Sequence, residues 1–204
     1  MIAIIDYDAG NLKSVEKALF YLGEKPVITR KREEILAADK VILPGVGAFG
    51  DAMEKLHQYG LPEVISETVQ KGTPFLGICL GLQLLFESSE ESPGVKGLGL
   101  CKGKIVRIPD TGKQKVPHMG WNSLQYPSAG SRGRLFAGLP EESYVYFVHS
   151  YYLKAEDPEI VKASTEYVVH IHASVEQGNL FGCQFHPEKS SETGLAILKN
   201  FVEL

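Results

Sequence analysis

Hydrophobic positions fall into two regimes along the chain. In the first, continuous apolar runs at residues 2–6, 26–29, 40–43 and from 75 onward alternate with segments of helical spacing. Leu12, Val15, Leu19 and Leu22 share one face of a helix that Asn11 can cap and Gly23 can close. A short helix is expected through Ile35 and Leu36, and longer helical patterns cover residues 52–59 and 62–71. Apolar runs that are continuous rather than alternating, with helices between them, predict a parallel sheet covered on both faces. Ligands in such sheets sit beyond the carboxyl ends of the strands. Two segments are placed there: the loop at residues 44–50 and the turn that follows the run at residue 75.

The texture changes after an acidic, glycine-containing stretch at residues 88–99, which reads as a surface loop. Strand patterns then follow at residues 104–108, 121–125, 144–148, 161–165, 168–174 and 180–185. Gly178-Asn179 reads as a tight hairpin turn between the last two. A helix at residues 191–201, with Leu195, Leu198 and Phe201 on one side, closes the pattern. The expected fold is α/β: a mostly parallel central sheet flanked by helices, with a strand-rich C-terminal half. Neither a repeat nor a linker interrupts it, so residues 1–204 read as a single domain.

Composition narrows the function classes. The net charge of −4 comes without blocks of either sign, so a nucleic-acid partner is not expected. The apolar stretch at residues 75–86 is broken by Gln83 and too short for a bilayer. The first six residues lack the basic lead of a signal peptide. Three cysteines, an odd count without paired spacing, suit a reduced, cytoplasmic protein.

The chemistry is concentrated at Gly77-Ile78-Cys79-Leu80-Gly81, a G-x-C-x-G with the form of a nucleophile elbow. A residue at a sharp strand-to-helix turn sits in strained backbone, and its neighbours two positions away must lack side chains. Such a turn lifts the Cys79 thiol to the first turn of a helix, where unpaired N–H groups and the helix dipole favour the thiolate. The N–H of Leu80 can then serve an oxyanion hole. Downstream, Pro187 keeps His186 out of the helical region, so His186-Pro187-Glu188 is expected to be extended, with Glu188 beside His186. A thiol, a base and an orienting carboxylate make a triad by role.

Other candidates carry less. Cys101 and Cys183 lack flanking glycines and read as core. His170 and His172 could share a strand face around a metal, but no third ligand is evident, and an ordinary strand is the better reading. His57 reads as a surface residue. Pro44-Gly45-Val46-Gly47 has neither phosphate-loop signature, and its glycines suit a backbone that approaches a ligand closely.

The elbow, Gln83, and Gln184-Phe185-His186-Pro187-Glu188 resemble the class I glutamine amidotransferase family. Further stretches narrow the resemblance to a branch of that family. They are Asp6-Tyr7 with Gly10-Asn11-Leu12, Pro44 through Phe49, Pro117-His118-Met119-Gly120-Trp121-Asn122, and Tyr146-Phe147-Val148-His149-Ser150-Tyr151-Tyr152. That branch passes ammonia to a cyclase subunit with a (βα)8 barrel in histidine biosynthesis. The sequence departs from many family members at Val46, where they carry another glycine.

The resemblance implies a flavodoxin-like fold and a glutaminase with Cys79, His186 and Glu188 as its triad. It adds an oxyanion hole from Leu80 and Val46. Glutamine contacts would come from Gly45, Gly47, Gln83, Ser150 and Tyr151. A heterodimer interface would form at Asn11, Trp121, Tyr146 and Lys189. Neither metal nor organic cofactor is implied. Alternatives are a glutaminase serving another synthase, a stand-alone cysteine hydrolase of similar fold, and a non-catalytic regulatory subunit.

Overall fold

A computed structural model describes residues 1–8, 10–112, 114–127 and 132–204. The chain opens with strand β1 (Ile2–Ile5), helix α1 (Leu12–Tyr21), β2 (Val27–Thr29), the short helix α2 (Arg32–Leu36) and β3 (Lys40–Gly45). Helices α3 (Phe49–Gln58) and α4 (Leu61–Gln70) precede β4 (Phe75–Cys79), which runs directly into α5 (Leu80–Leu84). Seven strands then follow in the stretch expected to be strand-rich: β6 (Gly103–Arg107), β7 (His118–Leu124), β8 (Ser143–His149), β9 (Tyr151–Ala155), β10 (Val161–Tyr167), β11 (Val169–Gln177) and β12 (Leu180–Cys183). Helix α6 (Ser191–Val202) ends the order.

The main sheet runs β2-β1-β3-β4-β12-β11-β9-β6, with the two-residue β5 (Ser88–Ser89) beyond β6 and β10 paired to β11. Its first five strands are mutually parallel, and the section from β12 through β6 is antiparallel. β7 and β8 form a separate antiparallel pair. Side chains alternate across the parallel strands. Ala3 and Ile5 meet Met53, Leu56 and Ile65 of α3 and α4 on one face, while Ile2 and Ile4 meet Val15, Leu19 and Phe201 of α1 and α6 on the other. This two-sided burial is what the continuous apolar runs require.

Three local readings need correction. Residues 88–99 are not only loop: β5 pairs with β6, and Glu91 accepts the Phe49 N–H at the start of α3. β9 was not anticipated, because one apolar run spans residues 144–153 and only the bend at Ser150 divides it into two strands. Asn11 does not cap α1 with its side chain; it sits at φ 73°, and the side chain turns elsewhere. No helix among the described residues is long and apolar enough to cross a membrane.

Candidate active site

The parallel register sets the geometry of the site. Gly45 at the end of β3 pairs with Cys79 at the end of β4, so the loop after β3 lies beside the elbow. Cys79 has φ 55° and ψ −109°, a conformation that a non-glycine residue adopts only under constraint. The constraint is close packing. A Cβ on Gly81 would lie 1.8 Å from the Leu43 carbonyl oxygen, and one on Gly77 would lie 2.7 Å from that of Gly81. Gly45 is equally confined, since a Cβ there would meet the Tyr7 hydroxyl at 2.4 Å. That hydroxyl donates to the Pro44 carbonyl (2.9 Å) and so fixes the start of the loop. Burial, with the nearby Cys79 charge, holds Tyr7 above its ordinary pKa.

β12, the other neighbour of β4, delivers Gln184, Phe185 and His186 to the same end of the sheet. His186 donates from Nδ1 to Glu188 Oε1 at 2.7 Å, with both side chains sequestered from solvent. His186 itself is extended (φ −99°, ψ 96°), as Pro187 demands. The rest of the tripeptide is not extended: Pro187–Lys189 forms a turn of 3-10 helix, and this turn brings the carboxylate back to the ring. The His186 backbone is tied to β8 by its N–H to the Tyr146 carbonyl (2.9 Å), and Ser190 Oγ donates to the His186 carbonyl (2.6 Å). Burial alone pulls the imidazole pKa down. The adjacent Cys79 sulfur and the hydrogen-bonded Glu188 carboxylate outweigh it and push the ring up to about 10. Among the described residues, His186 Nε2 has no hydrogen-bond partner. It is the nitrogen left free to exchange a proton with the thiol and a substrate.

A pocket of about 360 Å³ opens over these groups, at the small end of ligand sites. Val46, Gly47, Leu80 and Gln83 line it together with Cys79 and His186. Ser150 and Tyr151 line it as well. Gln83 donates to the Tyr151 carbonyl and to Gln184 Oε1, both at 3.0 Å, and Gln184 Nε2 reaches the Cys79 sulfur at 3.8 Å. The other cysteines are unlike Cys79. Burial raises Cys101 to about 11 and is the main cause that raises Cys183 to about 12, so both remain thiols. His170 and His172 lie on β11, where His170 pairs with Glu166 and His172 Nδ1 accepts the Ala155 N–H.

The four residues matched to an interface do not share one environment. Trp121 is 53% exposed, sits opposite Tyr146 in the β7–β8 register, and meets its ring edge-on at 6.2 Å. Lys189 is exposed. Asn11 instead donates to Glu188 Oε1, the oxygen that His186 also uses, and so lies against the triad carboxylate. Sequence reasoning gave no role to His149, Pro117 or Glu91, which also line the pocket. His149 falls within the Tyr146–Tyr152 stretch, yet an isolated histidine carries no spacing signal that would mark it.

Burial lowers the pKa of His118 to about 4, and burial with the His118 and His186 charges lowers that of His149 to about 3. An unfolded chain protonates both near 6.5. Between that value and about 4 the unfolded chain binds protons that the folded one refuses, so stability falls as pH falls. From pH 7 to 5.5 the two rings together are expected to remove roughly 2 kcal/mol of stability, of which His186, cationic throughout in the folded chain, returns about 1 kcal/mol. Calorimetric melting at the two pH values checks this; a Tm unchanged or higher at pH 5.5 contradicts it.

The description "Glutamine amidotransferase class-I" belongs to the family model that matches residues 3–204. The chain belongs to the class I glutamine amidotransferase family. Among curated proteins it is 54% identical to "Imidazole glycerol phosphate synthase subunit HisH" of Moorella thermoacetica, over all of this chain and 94% of that one. It is 50% identical to the protein of the same description in Methanocaldococcus jannaschii, with both chains fully covered. The amidotransferase fold recurs in a solved "glutamine amidotransferase" (TM-score 0.75, 18% identity, covering 100% of this chain and 98% of that one). It recurs also in PurLQS of Thermotoga maritima (TM-score 0.74, 20% identity, 99% and 97%).

Proposed function

We propose that this amidotransferase is the glutaminase subunit of an imidazole glycerol phosphate synthase, hydrolysing glutamine and passing the ammonia to a cyclase in histidine biosynthesis. The observation that carries the reading is a strained Cys79 facing the free end of a His186–Glu188 pair, in a chain half identical to such subunits over its whole length. The raised imidazole pKa favours imidazolium at rest. The thiolate attacks the side-chain amide carbon of glutamine, and the oxyanion that forms is held by the N–H of Leu80 and the backbone at Val46. His186 gives its proton to the departing nitrogen, releasing ammonia and leaving a thioester. It then takes a proton from water, which attacks the thioester and frees glutamate. Glu188 keeps the ring oriented. Gly45, Gly47, Gln83, Ser150 and Tyr151 hold the substrate.

The cyclase is a (βα)8 barrel that makes imidazole glycerol phosphate and AICAR, and it docks on the face carrying Trp121, Tyr146 and Lys189, with Asn11 at its edge. Exposed Met119 and Trp121 on β7 give that face an apolar centre. Residues 1–204 act as one glutaminase domain, in the cytoplasm, without metal or organic cofactor. The test is glutamine hydrolysis by the purified chain, alone and mixed with the cyclase and its ligand. Turnover is expected to rise at least tenfold in the mixture. Turnover indifferent to the cyclase moves the assignment to another synthase, and none in either condition removes the glutaminase.

A further inference from the structure

Two buried histidines outside the triad form a hydrogen-bonded chain with one proton arrangement. His118, the first residue of β7, and His149, the last of β8, are paired in the register, with His118 Nδ1 3.1 Å from His149 Nε2. Both rings are buried, 2% and 6% exposed. His118 lies between the rings of Phe147 and Tyr167, with centroids at 4.6 and 3.9 Å. At one end, Asn122 Oδ1 accepts the Ser123 N–H, so the amide nitrogen faces the Glu166 carbonyl (3.0 Å) and His118 Nε2 (3.3 Å). His118 Nε2 is therefore an acceptor, and its proton is on Nδ1. That proton goes to His149 Nε2, which leaves the second ring's proton on Nδ1 as well. At the other end His149 Nδ1 stands 2.9 Å from the Tyr151 carbonyl, which can only accept. Both ends dictate the same pair of tautomers.

The Tyr151 carbonyl thus receives two donors, the His149 ring and Gln83. Gln83 continues to Gln184, and Gln184 to the Cys79 sulfur. The geometry points to His118 and His149 as positioning residues for the glutaminase reaction. They fix the Ser150–Tyr151 wall of the substrate pocket from β7, and through Gln83 and Gln184 they brace the nucleophile. A neutral, tautomer-locked pair suits this place. Neither ring has a spare acceptor nitrogen, so no second positive charge arises beside cationic His186.

This inference rests on the glutaminase reading and is tested by kinetics and by nitrogen NMR of the rings. His149→Leu removes the donor to the Tyr151 carbonyl and is expected to raise KM for glutamine about tenfold while lowering kcat less than threefold. His149→Asn places an amide N–H where Nδ1–H stood and is expected to bring KM back within about threefold of the parent. His118→Phe keeps a ring stacked between Phe147 and Tyr167 but loses the donor, and is expected to raise KM in the same direction. NMR of the parent is expected to show both rings neutral and protonated at Nδ1, against the Nε2 preference of free histidine. An unchanged KM in His149→Leu and His118→Phe overturns the proposal, as does an asparagine variant no better than leucine or an Nε2-protonated ring. Should His149→Leu fail to fold, His118→Phe and the NMR signature decide alone. Absence of turnover in the parent protein would strike the functional reading instead and leave the tautomers measurable.

Discussion

Cys79→Ala is expected to lower glutamine turnover by about ten-thousand-fold or more while the folded protein survives. Removing a covalent nucleophile from a triad costs a factor of this order, because base and oxyanion hole have nothing left to act on. The structural cost is small by comparison. Cys79 is 7% exposed, its sulfur sits at the pocket, and alanine keeps the Cβ that the elbow already accommodates. A Tm within about 3 °C of the parent is expected, and glutamate release measured on the same sample gives the loss. Cys79→Ser tests the same point more narrowly. A hydroxyl is far less acidic than a thiol, so His186 cannot hold it as the anion, and turnover stays at least a thousandfold down. Cys101→Ala separates the nucleophile from thiols in general, since Cys101 is buried, bonded to Gln177 and held as a thiol at about 11. It is expected to keep turnover. More than one percent of parental turnover in Cys79→Ala would remove Cys79 from the nucleophile's place.

The sequence made this much legible because each feature has a local signature. Two glycines around a cysteine mark a turn that only glycine can flank, and the close approaches at Gly77 and Gly81 show why. Continuous apolar runs marked strands buried on both faces, which β1, β3 and β4 are. What was hidden depends on contacts between distant segments. The Asn11 bond to Glu188 spans 177 positions, and nothing in residue 11 distinguishes a carboxylate partner from a helix cap. The 3-10 turn at Pro187–Lys189 escaped because proline restricts the residue before it and says little about those after. His118 and His149 each look ordinary, and they acquire meaning only when β7 and β8 pair. The break between β8 and β9 is one bend at Ser150, which periodicity over a common apolar run does not reveal.

Gly81→Ala is the substitution expected to cost the fold most. A Cβ at this position would stand 1.8 Å from the Leu43 carbonyl oxygen and 2.9 Å from its carbon. Both belong to the backbone of β3, which is held on one side by β1 and on the other by β4 itself. No rotamer change relieves such a clash. Either the start of α5 retreats from β3 or the β3–β4 pairing opens, and both displace Cys79 from beside Gly45. Overpacking of this kind costs up to about 3 kcal/mol even where side chains can yield, and backbone against backbone exceeds it. Above 3 kcal/mol, a chain of this length is expected to melt more than roughly 6 °C lower, or to be recovered insoluble. Gly72→Ala provides the control: its φ of +84° carries the strain of a left-handed residue, about 1 kcal/mol, but a Cβ there meets nothing within 4 Å. Calorimetric melting of the two variants beside the parent therefore separates steric exclusion at the elbow from the general penalty of replacing glycine. If Gly81→Ala melted within 2 °C of the parent, α5 would have to sit farther from β3 than the elbow geometry requires, and the strain assigned to Cys79 would lose its cause.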